Sequence, residues 1–148
     1  MTATDLPRLG VATLVAAARL TRLASRDVTV MPPAAMRLLG RLDELGPTRI
    51  SELARADRCS QPTMSNLVHR QEELGWVRRE PDPADSRASL ISLTALGREQ
   101  LDQGRLEAGS AIAARLARLP AEDLRKLGDA VGVMNSILTL DPMEDTPR

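Results

Sequence analysis

Short polar side chains between residues 61 and 70 could bind a nucleic acid. Hydroxyl, amide and imidazole groups exchange hydrogen bonds with base edges, and an arginine adds a charged contact to phosphate. The stretch contains Gln61, Pro62, Thr63, Ser65, Asn66, His69 and Arg70. The same composition also fits the solvated face of an ordinary surface helix, so both interpretations stay open at this point.

A second candidate lies where a turn-rich segment leads into a predicted strand. Arg87 follows Asp85 by two residues there, and an arginine at the tip of a hairpin can enter the narrow minor groove of DNA. Asp85 could hold the loop through backbone N–H groups and pair with Arg87. The alternative is a plain surface ion pair, which contributes at most about 1 kcal/mol.

Other chemistries find less support in the sequence. Cys59 is the only cysteine, and a helix N-terminus together with Arg58 could make it redox-active; it could equally be a turn residue without a regulatory role. His69 is the only histidine, and no cluster has metal-ligand spacing. Because no nucleophile array, phosphate loop or carboxylate pair is present, we expect neither an enzyme, a metal site nor a cofactor.

Composition indicates a globular protein and gives no overall signal for nucleic acid. The 148 residues carry a net charge of +0, and residues 48–98 hold eight arginines against seven acidic residues. DNA binding therefore depends on where the arginines point. Trp76 is the only aromatic residue, which argues against base stacking on single strands. Without an apolar run or a secretory signal, we expect a cytoplasmic protein and no membrane partner.

The elements follow from hydrophobic periodicity and caps. We predict a first helix over 5–25, a second that starts at Pro32 and Pro33 and is stopped by Gly46-Pro47, a third capped by Ser51 and reaching about Asp57, and a fourth capped by Ser60. Strands are predicted at 76–80 and 88–93 around a loop at 81–86, followed by helices from Thr94 and from about Pro120. The predicted buried face of the fourth helix is Met64, Leu67, Val68 and Leu74.

The fold class is therefore mainly α with a small β-hairpin: a winged helix-turn-helix at roughly 48–94 with N- and C-terminal dimerisation helices. The predicted organisation is a dimerisation helix at 1–28, a DNA-binding lobe at 29–98, dimerisation helices at 99–140 and a frayed tail at 141–148. The outer helices carry more leucine than one small lobe needs, which favours a homodimer.

The sequence resembles the multiple-antibiotic-resistance regulator (MarR) family. The motifs that carry the resemblance are the wing segment Asp85–Thr94 with the following Gly97, the helix segment Ile50–Ala54, and Leu74–Arg79 with the Asp82–Asp85 loop. The resemblance implies a dimer on a pseudo-palindromic operator in double-stranded DNA. It assigns Gln61, Pro62, Thr63, Ser65 and Asn66 to the groove, Arg79 to the DNA backbone, and Asp85 and Arg87 to the wing. Gln71 stands where the family usually has a core leucine, and Asn66 where a basic residue is common.

The resemblance also implies a small-molecule effector. Many members respond to lipophilic acids in a cleft between the dimer helices and the DNA-binding lobe, which here would involve the first and second helices and the start of the fifth. Arg19, Arg22, Arg37 and Arg41 could meet a carboxylate there, or could simply cover helix faces. We therefore expect a repressor that a lipophilic or anionic ligand relieves. The alternatives are a winged-helix protein-interaction module without DNA binding and a redox-sensing regulator based on Cys59.

Overall fold

The computed structural model describes residues 5–26 and 28–140, apart from the side chain of Ser86. The predicted tail at 141–148 lies outside the described residues. The helices are α1 Leu6–Ala24, α2 Pro33–Leu45, α3 Ile50–Ala56, α4 Gln61–Glu73, α5 Ala95–Leu116 and α6 Ala121–Thr139, and the strands are β1 Thr48–Arg49, β2 Val77–Asp82 and β3 Asp85–Leu93. The strands form an antiparallel sheet in the order β1-β3-β2. This mainly helical winged-helix architecture confirms the predicted fold class.

The chain divides into two compact units, Met1–Ile112 and Ala113–Arg148. The first contains α1 to α4, the sheet and most of α5. The second contains the last residues of α5 and the whole of α6. The first unit therefore holds every element of the winged helix-turn-helix.

Prolines and glycines set the bounds of α2 and α4. Proline occupies the first turn of each helix, where its missing N–H costs no hydrogen bond. The Ser60 side chain accepts a hydrogen bond from the Thr63 backbone N–H at 3.3 Å, which confirms the predicted cap. Gly46 and Gly75 follow the two helices with φ of 73° and 72°, the left-handed region in which glycine has no steric penalty.

The predicted cap of α3 is wrong. The helix begins at Ile50, and its N-cap is Arg49 rather than Ser51. The cause is β1, which the sequence did not reveal: Thr48 pairs with Ile91 and Arg49 with Leu90. Because this pairing fixes the backbone in the extended conformation up to Arg49, the helix starts at the next residue.

The wing is tighter than predicted. β2 and β3 reach Asp82 and Asp85, so that only Pro83 and Ala84 lie between them, instead of a loop over 81–86. A register irregularity between Pro81 and Asp82 accompanies the turn. The Asp82 carboxylate accepts the Ala84 backbone N–H at 2.8 Å, and this contact closes the turn from within.

The buried face of α4 differs from the prediction at its C-terminal end. Met64 and Val68 are buried and Leu67 is half-buried, but Leu74 is 52% exposed. Gln71 is buried in its place, since positions 64, 68 and 71 form one stripe on a helix. The Gln71 amide nitrogen donates to the Leu67 carbonyl at 3.4 Å, whereas its Oε1 accepts no hydrogen bond from residues 5–26 or 28–140. Burial of this unsatisfied oxygen therefore lowers the stability of the fold, and a leucine at the same position would avoid that loss.

Gln71→Leu is expected to raise the free energy of unfolding by about 1–2 kcal/mol, because it removes a buried acceptor that has no hydrogen bond. Guanidinium unfolding at a fixed protein concentration measures the change. The same substitution at Gln61, which is exposed in the first turn of α4, is the control and should change stability little. A Gln71→Leu variant no more stable than the parent protein would contradict the prediction.

The junction between the wing and α5 is held by Thr94. Its hydroxyl donates to the Gly75 carbonyl at 2.6 Å and accepts the Gly97 backbone N–H at 3.0 Å, as the predicted cap requires. The Thr94 backbone N–H donates to the Trp76 carbonyl at 3.1 Å. A Cβ placed on Gly97 would lie 1.9 Å from that same Trp76 oxygen. The first turn of α5 can therefore approach the start of β2 this closely only because residue 97 is glycine.

Candidate nucleic-acid interface

α4 presents most of the predicted polar residues to solvent. Gln61, Pro62, Thr63, Asn66, His69 and Arg70 are exposed. Helical spacing places all of them except Gln61 away from Met64 and Val68, which are 2% and 0% exposed. Gln61 is exposed as the first residue of the helix. Ser65 is half-buried and lies at the margin of the exposed face. The exposed face thus offers amide, hydroxyl, imidazole and guanidinium groups along one side of a helix that packs firmly by its other side.

Some of these side chains have partners nearby, and others do not. The hydroxyls of Thr63 and Ser60 share a hydrogen bond of 2.7 Å, which orients Thr63 at the start of α4. His69 Nε2 lies 3.6 Å from Glu73 Oε1, one turn along the helix. Asn66 and Arg70 make no side-chain hydrogen bond or ion pair within residues 5–26 and 28–140. These two side chains can therefore reach a ligand without first losing a contact.

The wing places Arg87 almost entirely in solvent. Its side chain is 93% exposed, and its Nε lies 3.6 Å from Asp85 Oδ1. Asp85 Oδ1 also accepts the Arg87 backbone N–H at 3.1 Å. The arrangement agrees with the predicted role of Asp85 in holding the tip. It leaves the guanidinium of Arg87 free to extend away from the hairpin.

Asp82, which was part of a family motif but not among the predicted site residues, anchors the wing. This residue is 7% exposed, and Arg49 Nε donates to its Oδ2 at 2.6 Å. The backbone N–H of Ala84 and the Arg49 guanidinium hold the pKa of Asp82 below its usual value. An aspartate two residues before a turn amide indicates this type of turn, but the pairing with Arg49 becomes visible only once β1 lies beside β3.

Arg79, predicted to contact the DNA backbone, is tied to α4. Its Nη2 lies 3.6 Å from Glu72 Oε2 near the end of that helix, and both side chains are about one-third exposed. The pair connects β2 with the C-terminal turn of α4. Arg79 thus has a role in the fold that does not depend on DNA.

The DNA-binding lobe is close to neutral overall but contains arginines without an acidic partner among the described residues. Its carboxylates pair internally in several places, including Asp57 with Arg37, Glu72 with Arg79 and Asp82 with Arg49. Three exposed arginines have no carboxylate within 4.0 Å in the described part of the chain: Arg55, Arg58 and Arg70. They lie on α3, on the following turn and on α4. Among the described residues Glu52 on α3 also has no basic partner within that distance, and Glu73 on α4 has only His69. The unpaired charges of the helix-turn-helix are therefore of both signs, with arginines in slight excess.

Two carboxylates fix α5 against the rest of the first unit. Asp43 on α2 pairs with Arg98 and Arg105 of α5, the latter at 2.9 Å. Glu107 accepts the backbone N–H groups of Thr29 and Val30, at 2.7 and 3.3 Å. Hydrogen bonds from Arg105 and Arg98 lower the pKa of Asp43, and the Thr29 N–H chiefly lowers the pKa of Glu107. α5 is thereby held beside the segment that joins α1 to α2.

An open cavity of 760 Å³ lies between α1, α2 and α5 of the first unit. Apolar groups dominate its lining, with Leu20, Val28, Met36 and Ile112 among them. The arginines of the lining are Arg22, Arg26 and Arg37, and no described lining residue is acidic. A volume of this size is typical of small-molecule sites.

The cavity includes two of the four arginines predicted for a ligand, Arg22 and Arg37. Arg41 lies outside it and pairs with Glu44 at 3.4 Å, while Arg19 is exposed elsewhere on α1. The contribution of α5 comes from Ala108, Gly109 and Ile112, not from the start of the helix as predicted. The start of α5 is unavailable because Gly97 and Leu101 are buried in the lobe.

Cys59 lies in the turn between α3 and α4. It is half-buried, packs against the hydrophobic core and donates its backbone N–H to the Ala54 carbonyl at 3.0 Å. A redox role for this residue stays a prediction. Among residues 5–26 and 28–140, no three His, Cys, Asp or Glu side chains come together as metal ligands would. No helix in the described ranges is long and apolar enough to cross a membrane.

The order α2, β1, α3, α4, β2, β3 defines a winged helix-turn-helix domain. Residues 31–89 match the model of the MarR family. This domain therefore belongs to the MarR family, as the sequence resemblance indicated.

Individual proteins are similar to this chain in sequence or in fold. The uncharacterized HTH-type transcriptional regulator YxaD of Bacillus subtilis is 40% identical over 73 residues, which are 47% of this chain and 51% of YxaD. The chain thus spans about half the length of this relative. Wild-type apo MarR of E. coli is a solved structure with a TM-score of 0.66 and 21% identity over 85% of this chain and 96% of that one. A mutant of S. aureus MepR, solved bound to an oligodeoxyribonucleotide, has a TM-score of 0.61 and 20% identity over 94% of this chain and 99% of that one.

Proposed function

We propose that the protein is a transcriptional regulator that binds double-stranded DNA in a sequence-specific manner. The observation that carries the proposal is the exposed polar face of α4 beside a wing whose Arg87 side chain is 93% exposed. A recognition helix in the major groove and a wing arginine in the minor groove use these two features together. A MepR mutant of the same fold was solved bound to an oligodeoxyribonucleotide, which supports DNA as the partner.

The roles divide between base edges and phosphates. On α4 the proposed contacts are Gln61, Pro62, Thr63, Ser65, Asn66, His69 and Arg70. Asn66 is the best placed to read a base, since it is exposed and its amide can donate and accept at once. Arg79 would contact the DNA backbone, while Asp85 would hold Arg87 at the tip of the wing.

Fluorescence anisotropy tests DNA binding directly. The full chain is titrated into a labelled duplex from upstream of its own gene and into an unrelated duplex, at several salt concentrations. We expect tighter binding to the upstream duplex and a dissociation constant that rises steeply with salt, because counterions are released from phosphates. Equal absence of binding to both duplexes at low salt would favour the alternative, a winged-helix module that binds protein.

The protein is further proposed to act as a homodimer. Apolar side chains are exposed along α1, where Leu14 is 72% exposed, and along α6, where Leu138 is 82% exposed. The others are Leu6, Leu9, Val11, Val15 and Leu20 on α1 and Leu124, Leu127, Val131, Val133, Met134 and Ile137 on α6. Such stripes exceed what soluble monomers tolerate in water, and a second copy would cover them and set the spacing of two recognition helices.

Light scattering at micromolar concentration is expected to give about twice the chain mass of 16.0 kDa. The reason is the exposed apolar side chains of α1 and of α6, which association of two chains would remove from water. Leu14→Glu is the informative variant because it places a charge within that area. A parent protein that remains monomeric and well folded would contradict the proposal.

The cavity of the first unit is proposed to bind a lipophilic anion that relieves repression. Its lining is apolar and carries Arg22, Arg26 and Arg37 without a described acidic residue. An aliphatic chain would lie against Met36 and Leu20, and a carboxylate would meet a guanidinium. Since the protein has no Phe or Tyr, aromatic stacking contributes little, and an aliphatic acid suits the cavity better than an aromatic one.

A further inference from the structure

Arg37 lines the cavity and also forms an ion pair with the turn before α4. It is part of the cavity lining, and it also binds Asp57 through a two-pronged contact, with Nε 3.0 Å from Oδ1 and Nη2 3.3 Å from Oδ2. The Asp57 side chain is 17% exposed, while that of Arg37 is 57% exposed. More than half of the Arg37 side chain thus stays exposed while the contact with Asp57 is in place.

Asp57 lies at the start of the turn that joins α3 to α4. It caps the C-terminus of α3, and its backbone N–H donates to the Leu53 carbonyl at 2.9 Å. Arg58 follows with φ of 52°, in the left-handed region, and Ser60 then caps α4. The pair Arg37–Asp57 thus ties α2 to the short turn from which the recognition helix begins.

The other cavity arginines have no such connection. Arg22 and Arg26 make no ion pair with another residue in the described ranges. A ligand carboxylate that met only these two would be held without consequence for the turn. A ligand carboxylate that reaches Arg37 competes with Asp57 for the same guanidinium. The ion pair between Arg37 and Asp57 is then weaker than it is without ligand.

We propose that Arg37 transmits occupancy of the cavity to the recognition helix, by exchanging its contact with Asp57 for a contact with the carboxylate of an aliphatic acid. The loss of this contact frees the turn before α4 and weakens DNA binding. This inference rests on the proposed function and adds the ligand class and the residue pair that couples the ligand to DNA. The hydrogen bond from Arg37 to Asp57 raises the pKa of Arg37 above its usual value. An arginine is charged at neutral pH in either arrangement.

The test uses octanoate as the probe and octan-1-ol as its neutral control. Ligand affinity is measured by calorimetry without DNA, and DNA affinity by anisotropy with and without saturating ligand. For the parent protein we expect octanoate to weaken DNA binding about five-fold, the size that one exposed ion pair can supply. Octan-1-ol should leave DNA binding unchanged.

Asp57→Asn separates this coupling from ligand binding. Because Arg37 is then free, octanoate should bind this variant about five-fold more tightly in the absence of DNA. DNA binding should already be weakened and should no longer respond to octanoate. Glu44→Gln is the matched control, since it removes an exposed carboxylate near the end of α2 that pairs with Arg41 and does not line the cavity; it should behave as the parent protein does.

Variants of the two cavity arginines separate binding from transmission. Arg22→Gln should require more octanoate but keep the full loss of DNA affinity at saturation, whereas Arg37→Gln should abolish that loss. Octanoate that does not bind, octan-1-ol that acts as octanoate does, or an Asp57→Asn variant with the parent's affinity and response would each overturn the proposal. If the parent protein binds no DNA, the proposed function fails, while the tighter octanoate binding of Asp57→Asn still decides whether Arg37 is shared.

Discussion

Gly97→Ala is expected to lower the free energy of unfolding by about 3 kcal/mol or more. The added Cβ would lie 1.9 Å from the Trp76 carbonyl oxygen and 2.8 Å from the carbonyl carbon. Neither atom can move away freely, because the same carbonyl oxygen accepts the Thr94 backbone N–H that joins β3 to α5. The helix must therefore shift away from the strand and give up part of the packing of Leu101, which is 1% exposed.

Thermal unfolding followed by circular dichroism measures this effect, and the midpoint should fall by roughly 6–12 °C for a chain of this size. Gly40→Ala is the matched control. Gly40 lies within α2, and an added Cβ would meet no atom within 4 Å, so alanine should stabilise by about 0.5–1 kcal/mol through helix propensity. A general effect of alanine could not lower the free energy of unfolding at residue 97 and raise it at residue 40. Equal midpoints for both variants would show that the close approach at residue 97 does not matter.

Asn66→Ala and Arg87→Ala are expected to weaken DNA binding in different ways. Asn66 can form a paired contact with one base, so its loss should cost about 1–3 kcal/mol on the preferred duplex and little on unrelated DNA. Arg87 should act through the minor groove and phosphates. Its loss should weaken binding to both duplexes and reduce the salt dependence by about one phosphate contact.

Anisotropy on both duplexes at several salt concentrations distinguishes these outcomes, with circular dichroism to confirm folding. Asp85→Ala is a graded comparison, since it removes the acceptor of the Arg87 backbone N–H and should resemble a milder Arg87→Ala. A folded Arg87→Ala variant that binds both duplexes as the parent does would remove the wing from the interface. If Arg87→Ala weakens binding to the preferred duplex alone, the wing recognises sequence, and the roles given to Asn66 and Arg87 are wrong.

The element order followed from local signals that act within a few residues. Pro33 and Gly46 bound α2, Ser60 and Gly75 bound α4, and Thr94 begins α5. Each acts through backbone groups close to it in sequence, which is why residue types alone predicted it. The exposed face of α4 followed for the same reason, because helical spacing places Asn66 opposite Met64 and Val68.

The features that were not predicted from the sequence depend on contacts between residues far apart along the chain. β1 has two residues, too few for an alternating pattern, and it exists because β3 supplies the partners Leu90 and Ile91 from much later in the chain. Arg49 and Asp82 meet only through that pairing. The distinction between paired and unpaired arginines likewise depends on the fold. Arg49 and Arg58 carry the same charge in the sequence, but only Arg49 has a carboxylate partner in the described part of the chain.

Trp76 gives the protein a built-in optical probe at the junction of its main elements. It is the sole tryptophan, with no tyrosine or phenylalanine to contribute signal, and its half-buried side chain packs against the core where α4, the wing and α5 meet. Every photon emitted by the unlabelled chain thus originates at that junction. The emission spectrum and near-ultraviolet dichroism of the native protein are consequently single-site measurements, which resolve rearrangements of this lobe without any engineered dye.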